Sequence, residues 1–293
     1  MNHTQQTVKS FRDKWDNNPD LAFAETLRED SDIFNWILGR NGLASAAECR
    51  AWLAPRRRVL DAGCGNGRVT ALLHRYAPED AEIVGIDLSA AAVAAANLKD
   101  LARVSVFTRD LLGDLSDLGH FDLIYCQEVL HHTADPQAAF LNLCQRLTSD
   151  GEIAIYVYKV KAPLREYADD FIRDRIAHLS YDEAIEVMAG ITELGRALSG
   201  VQRTLTVPAI PVLGINAGEY DVQRFVYHFF LKCFWNPDLS RDANVAINYD
   251  WYHPELCSRH TLEEVEGWFA GAGLDVVHRL VDPYGITVRG VRS

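Results

Sequence analysis

A chain of 293 residues, 48% of them hydrophobic, can bury a large apolar interior as one domain or as a core with a second lobe, with no need of disulfides or metals. Its formal charge of −12 works against the phosphate backbone of nucleic acid, and its six cysteines (Cys49, Cys64, Cys126, Cys144, Cys233 and Cys257) form no CxxC or Cys/His cluster, against both structural zinc and a disulfide framework. No run of about 18 apolar residues occurs, and residues 1–11 hold no apolar stretch ending in a cleavage signal, so the expectation is a cytoplasmic protein with no membrane segment.

Residues 1–55 read as helical, with Phe11, Trp15, Leu21, Phe23, Leu27, Phe34, Trp36, Ile37 and Trp52 among charges, and three tryptophans in so short a stretch predict a helical cap. From Arg58 the pattern changes to short β-branched or apolar runs alternating with helical ones, the mark of βαβ units on a parallel sheet. Strands are predicted at Arg58–Ala62, Glu82–Asp87, Val104–Thr108, Phe121–Cys126 and Glu152–Tyr158, with helices at Gly67–Tyr76, Ser89–Leu101 and Pro136–Leu147. Asp135 serves as N-cap of the last helix and Pro136 fills its first position, where a missing N–H costs nothing.

The alternation stops after Tyr158, and residues 160–250 read as an inserted, mostly helical lobe covering the active site. It resumes at Thr261-Leu262-Glu263-Glu264, which has the form of a capping box; Val265, Trp268 and Phe269 follow at helical spacing until Gly271 or Gly273. Two final strands, Leu274–Leu280 and Gly285–Val291, are joined by a link that suits an antiparallel hairpin and is too short for a parallel crossover. The domain reading is thus a cap over 1–55, a core over 56–159, a lobe over 160–250 and completion of the core by 251–293.

Chemistry concentrates at Val59-Leu60-Asp61-Ala62-Gly63-Cys64-Gly65-Asn66-Gly67, an apolar strand running into a glycine-rich turn that opens a helix. Glycine there permits positive φ and a close approach of backbone to a ligand, and the helix start offers free N–H groups. Asp87 ends the second strand, where an acidic side chain in such folds accepts hydrogen bonds from ribose hydroxyls. Asp110 and Leu111 follow the third strand, and the segment Phe121–His132 runs out of the fourth to the carboxyl edge of the sheet, where open α/β sheets place ligands.

Together these segments resemble the class I S-adenosylmethionine (SAM)-dependent methyltransferases. The resemblance covers about residues 55–158 and implies an α/β, Rossmann-like, mostly parallel seven-stranded sheet with an antiparallel C-terminal hairpin. It implies SAM as the cofactor, with Asp61, Gly63, Cys64, Gly65, Asn66 and Gly67 at its methionine end, Asp87 and Leu88 at the ribose, and Asp110 with Leu111 at the adenine. Gln127 to His132 would border the methyl group, and His131 or His132 would be the general base; the alternative is a helix-capping and a surface histidine. An NAD-dependent dehydrogenase is the competing reading, but the glycines run G-x-G-x-G, not G-x-G-x-x-G, and the chain closes with a hairpin.

On the acceptor side, Lys159, Lys161 and Arg165 follow the fifth strand and are candidates for a carboxylate or phosphate of the substrate; Arg165 and Arg173 alternatively pair with Asp169 on a solvated helix face. Arg224, amid Tyr220, Phe225, Tyr227 and His228, is a third candidate, though such aromatic clusters are more often core. The text Tyr249-Asp250-Trp251-Tyr252-His253-Pro254, then Ser258-Arg259-His260-Thr261, resembles a segment of a bacterial group of SAM methyltransferases that begin with Phe-x-x-x-Trp, here Phe11 to Trp15. That resemblance adds Tyr252 and His260 and implies a small polar metabolite or sugar-type acceptor. The Asn-Pro-Pro-Tyr and Pro-Cys signatures of base methylation are missing, so Cys126 is read as a packed thiol. The expected partner is a small molecule, with no nucleic acid, membrane or metal. An RNA (tRNA) methyltransferase and a SAM-binding protein without transfer activity are the alternatives.

Overall fold

The computed structural model describes residues 2–292. The chain forms two compact units, one from the segment ending at Lys14 together with Val160–Cys257, the other from Trp15–Lys159 together with the segment starting at Ser258. The N-terminal stretch therefore divides between them at Lys14/Trp15, inside helix α1 (His3–Asn17).

In the core unit, α2 (Phe23–Leu27), α3 (Asp32–Arg40) and α4 (Ala46–Leu53) lead into β1 (Arg58–Ala62), α5 (Arg68–Tyr76), β2 (Glu82–Asp87), α6 (Ala91–Leu98), β3 (Val104–Thr108), β4 (Phe121–Gln127), α7 (Pro136–Cys144) and β5 (Leu147–Tyr158). The lobe supplies α8 (Pro163–Ile176), α9 (Tyr181–Ser199), β6 (Thr204–Val207), β7 (Gly218–Asp221), α10 (Val222–Phe229) and α11 (Arg241–Tyr252). The core then closes with α12 (Leu262–Gly271), β8 (Leu274–Val281) and β9 (Gly285–Arg292). The seven-stranded sheet has the order β3-β2-β1-β4-β5-β9-β8, parallel from β3 to β5, with β9 antiparallel to both its neighbours. This is the α/β fold with an antiparallel C-terminal hairpin that the sequence predicted.

Each sheet face has its own apolar layer. Leu60, Ile124, Ile153, Ile155 and Val157 pack with Phe140, Val265, Trp268 and Phe269 from α7 and α12. Val59, Leu123, Tyr125 and Ala154 pack with Phe34, Ile37, Leu53, Leu72 and Tyr76 from α3, α4 and α5. Burying each large side chain contributes about 1.5–3 kcal/mol, so the two layers hold the carboxyl edge of the sheet rigid beneath the site.

Several boundaries shift for identifiable reasons. Helix α6 starts at Ala91 and not Ser89, because the Ser89 and Ala90 N–H groups both donate to Asp87 Oδ1 (2.8 Å each). Helix α7 stops at Cys144 because Leu147 already pairs with Phe121 in the sheet; β5 begins there, and a register shift separates that pair from Leu123↔Glu152. Thr261 caps α12 by accepting the Glu264 N–H (3.2 Å), but the Glu264 carboxylate bonds His260 and does not complete the box. The complete capping box is Ser180 with Glu183, at the start of α9. In the lobe, β6 and β7 form an antiparallel hairpin within what was predicted to be mostly helical.

The buried face of α1 in the lobe unit is polar. Gln6 Nε2 donates to the carbonyls of Ala177 (2.7 Å) and His253 (2.9 Å), Thr7 Oγ1 accepts the Leu256 N–H, and Lys14 pairs with Asp250 at 3.0 Å. Among the described residues, no helix is long and apolar enough to cross a membrane.

Candidate active site

The turn after β1 needs its glycines. Gly63, Gly65 and Gly67 have φ of 86°, 55° and 88°, the left-handed region that side chains disfavour. A Cβ on Gly63 would lie 2.2 Å from Val129 Cγ2 and one on Gly67 2.7 Å from Leu98 Cδ1, while the indole of Trp15 closes over Gly65. Asn66 is fully buried and its Nδ2 donates to the carbonyls of Pro19 and Leu21, both at 3.1 Å, so it ties the incoming chain to the turn. Cys64 is buried, and burial holds its thiol well above the usual range.

Two carboxylates flank this turn. Asp61 is 2% exposed and accepts one bond from Thr70 Oγ1 (2.6 Å). Burial pushes its carboxyl up to about 7, the Thr70 bond opposing and the Asp87 charge adding. Asp87 Oδ1 accepts from Ser89 N, Ser89 Oγ and Ala90 N, whereas Oδ2 takes a single bond, from Gly65 N (2.9 Å). The carboxylate is thus oriented on both sides while Oδ2 keeps acceptor capacity.

Beyond β2 and β3, Asp110 is exposed and accepts the Leu112 N–H (2.9 Å). Leu111 is buried in the core layer, so the apolar surface here comes from Leu88, Phe107 and Leu112, each more than a third exposed. Exposed apolar side chains and carboxylates at the ends of β2 and β3 are groups of the kind an adenosine would use.

At the exit of β4, Gln127 accepts the Tyr125 hydroxyl on Oε1, and Glu128 has φ of 62°, a strained backbone for a residue with a Cβ. Its carboxylate lies 3.7 Å from Arg40 and 3.9 Å from Arg68. Arg40, 2% exposed, is sandwiched between the rings of Trp36 and Tyr156 at 3.2 and 3.6 Å. Arg40 was not singled out in the sequence, and Glu128 and Trp15 were named only within longer segments; the buried charge of Arg40, the positive φ of Glu128 and the approach of Trp15 to Gly65 mark them here.

The two histidines differ. His131 is fully buried, stacked on Tyr158 at 3.6 Å, and its Nδ1 accepts the Tyr158 N–H at 3.3 Å. His132 is partly exposed and meets Tyr158 edge-on. Cys126, 0% exposed with its thiol driven far up by burial, is a packed core thiol.

Of the expected acceptor-side residues, Lys159 and His260 lie in the core unit, bridged to each other beyond β5. Arg165, Arg224 and Tyr252 lie in the lobe unit. The i, i+4 pairing of Arg165 with Asp169 forms at 2.8 Å, but both are buried and not on a solvated face, and Arg165 Nη1 also donates to the Tyr227 carbonyl. Arg173 pairs with Asp170, not Asp169. Arg224 stands 5.6 Å from the Tyr227 ring. Tyr252 is fully buried, its hydroxyl donating to the Lys232 carbonyl (3.0 Å). Among the described residues, no three His, Cys, Asp or Glu side chains are grouped to hold a metal ion.

A family model described as a methyltransferase domain matches residues 60–153. A ubiquinone biosynthesis O-methyltransferase of Alkalilimnicola ehrlichii is 39% identical over 115 residues, 38% of this chain and 44% of that protein. A trans-aconitate 2-methyltransferase of Deinococcus radiodurans is 30% identical over 169 residues, 57% of this chain and 60% of that one. Among solved structures, an O-methyltransferase family protein from Burkholderia thailandensis aligns with 99% of this chain and 72% of its own at 16% identity and a TM-score of 0.48. The matches to the first curated relatives span less than half of those proteins' length. Residues 60–153, which hold the glycine turn and the carboxylates after β1 and β2, are a domain of the class I SAM-dependent methyltransferase family, in which SAM is the methyl donor.

Proposed function

We propose that the chain is a methyltransferase acting on a small polar molecule. The observation that carries this reading is the pair of carboxylates, Asp61 and Asp87, oriented on either side of a left-handed glycine turn next to the apolar surface of Leu88, Phe107 and Leu112. Those residues fit SAM: a buried, weakly ionised carboxyl is stabilised by an incoming ammonium, a carboxylate with spare acceptor capacity by ribose hydroxyls, and apolar surface by an adenine ring. When bound, SAM supplies a methyl group made electrophilic by its sulfonium. The protein's part is to hold the acceptor in line with that methyl and take up its proton where one is lost. A small acceptor is supported by the net charge of −12 and by the names of the relatives, which specify ubiquinone biosynthesis and trans-aconitate.

The test is SAM titration calorimetry on wild type and Asp87→Ala, with melting temperature followed in parallel. Charge-assisted hydrogen bonds to the ribose hydroxyls contribute about 1.5–3 kcal/mol each, so the variant should bind at least about tenfold more weakly. Unchanged SAM affinity, or preference of the wild type for NAD, overturns the cofactor assignment. Filter binding with transfer RNA should show no interaction at physiological salt; a micromolar, strongly salt-dependent affinity would replace the small acceptor with RNA.

A further inference from the structure

Three side chains at the carboxyl edge of the sheet form a connected chain outside the cofactor residues. Glu264 Oε1 lies 2.8 Å from His260 Nδ1, and His260 Nε2 lies 2.9 Å from Ser258 Oγ. The backbone fixes where they stand. Ser258 N donates to the His131 carbonyl (2.8 Å), just past β4, and His260 N donates to the Tyr158 carbonyl (2.9 Å), at the end of β5. His260 is 6% exposed with its ring edge-on to Trp268 at 4.8 Å, whereas Ser258 is partly exposed. The imidazole is therefore held by packing against Trp268 and by hydrogen bonds to two more accessible groups, the Ser258 hydroxyl and the Glu264 carboxylate, whose side chain is 46% exposed.

We propose that Ser258 and His260 take the proton from a hydroxyl group of the acceptor, with Glu264 as the positioning residue that sets the tautomer of His260. This rests on the methyltransferase reading above and assigns its acceptor to the hydroxyl class. With the Nδ1 proton given to Glu264, Nε2 is bare and accepts the Ser258 hydroxyl. During transfer the acceptor oxygen forms its bond to the methyl carbon as the carbon–sulfur bond breaks; the acceptor proton passes to Ser258 Oγ, and the serine proton passes to His260 Nε2. The resulting imidazolium keeps both its hydrogen bonds, Nδ1–H to Glu264 and Nε2–H to Ser258 Oγ. The serine hydroxyl then turns to the His131 carbonyl oxygen, 3.2 Å away. Both protonation states are fully hydrogen-bonded without movement of heavy atoms, which distinguishes a relay from a fortuitous contact. A hydrolytic serine is a poorer reading, because the Ser258 N–H is already committed to the His131 carbonyl and is not free to stabilise an oxyanion.

Two measurements test the relay. Nitrogen-resolved NMR of histidine-labelled protein should show the neutral form of His260 with its proton on Nδ1; a neutral form with its proton on Nε2 overturns the proposal. Glu264→Gln should shift that tautomer toward Nε2–H. The second measurement is methyl transfer from SAM to catechol as a hydroxyl probe. Ser258→Ala and His260→Asn should each lower kcat by about 100-fold or more while S-adenosylhomocysteine affinity by calorimetry stays within about twofold. Turnover within about threefold of wild type in both variants overturns the relay and leaves the methyltransferase reading intact; failure of the wild type to bind SAM removes that reading itself, with the tautomer still deciding the geometry.

Discussion

Asp61→Asn should be more stable relative to wild type at pH 8 than at pH 4.5, by about 3 kcal/mol at most, the roughly 2.5 pH units from 4.5 to 7 at about 1.4 kcal/mol each. In the unfolded chain the Asp61 carboxyl ionises near pH 4, whereas burial raises it to about 7 in the folded state. Between those values the folded protein holds a proton that the unfolded chain has lost, so the contribution of this group to stability is fully present below about pH 4 and is lost as pH rises to about 7. The asparagine cannot ionise and does not suffer this fall. Urea unfolding of both proteins at pH 4.5, 6 and 8 checks it; a difference that stays constant across the three would show that Asp61 is ionised throughout. The same carboxyl gives SAM binding a pH signature. An ammonium arriving beside it favours ionisation, so binding at pH 6 should release protons, measurable as a dependence of calorimetric heat on buffer ionisation enthalpy.

Glu152→Ala should cost about 3–5 kcal/mol of folding stability, the range for removing one partner from a buried ion pair. Glu152, on β5 with a side chain 4% exposed, accepts from Trp52 Nε1 (3.1 Å to each oxygen), Arg56 Nη2 (2.5 Å) and Arg289 Nε (2.7 Å). The loss would leave two largely buried guanidinium groups and an indole N–H without their acceptor. Glu152→Gln should lose less, because an amide oxygen still accepts. Urea unfolding followed by tryptophan fluorescence gives both values, and a loss below about 1 kcal/mol in the alanine variant would show that water reaches the arginines and takes over. Because β5 pairs with β4 and β9, the effect belongs to the sheet that carries the site, not to the site's own residues.

Much of the core was legible because its signals are local. Strands β1, β2 and β3 begin and end where the β-branched runs do, and the Asp135-Pro136 start of α7 is capped as predicted, with the Ala138 N–H donated to Asp135 Oδ1. The closing hairpin also follows from its short link, where Asp282 Oδ1 accepts the Tyr284 and Gly285 N–H groups. A buried strand and a tight turn have steric requirements that a few neighbouring residues must satisfy, so the requirement shows in the sequence.

What the sequence alone determined is the order of elements, the glycine turn and the carboxylates after β1 and β2, since backbone conformation and strand ends depend on residues a few positions apart. What only the tertiary structure decided are the contacts made across the chain. Helix α1 was read through Phe11 and Trp15 as part of a cap, but in the lobe unit it buries Gln6, Thr7, Ser10 and Lys14, because backbone groups of Ala177, His253, Glu255 and Leu256 and the side chains of His253 and Asp250 await them. Arg40 is a charge at the end of an ordinary helix until Trp36 and Tyr156 close on it. Ser258 and His260 were singled out only through a resemblance and Glu264 only as part of a capping box; they become a hydrogen-bonded chain when β4 and β5 present the His131 and Tyr158 carbonyls to Ser258 and His260. A buried polar group is stable only with its partner in place, and that partner is chosen by the fold, tens to hundreds of residues away, so periodicity and propensity carry no trace of it.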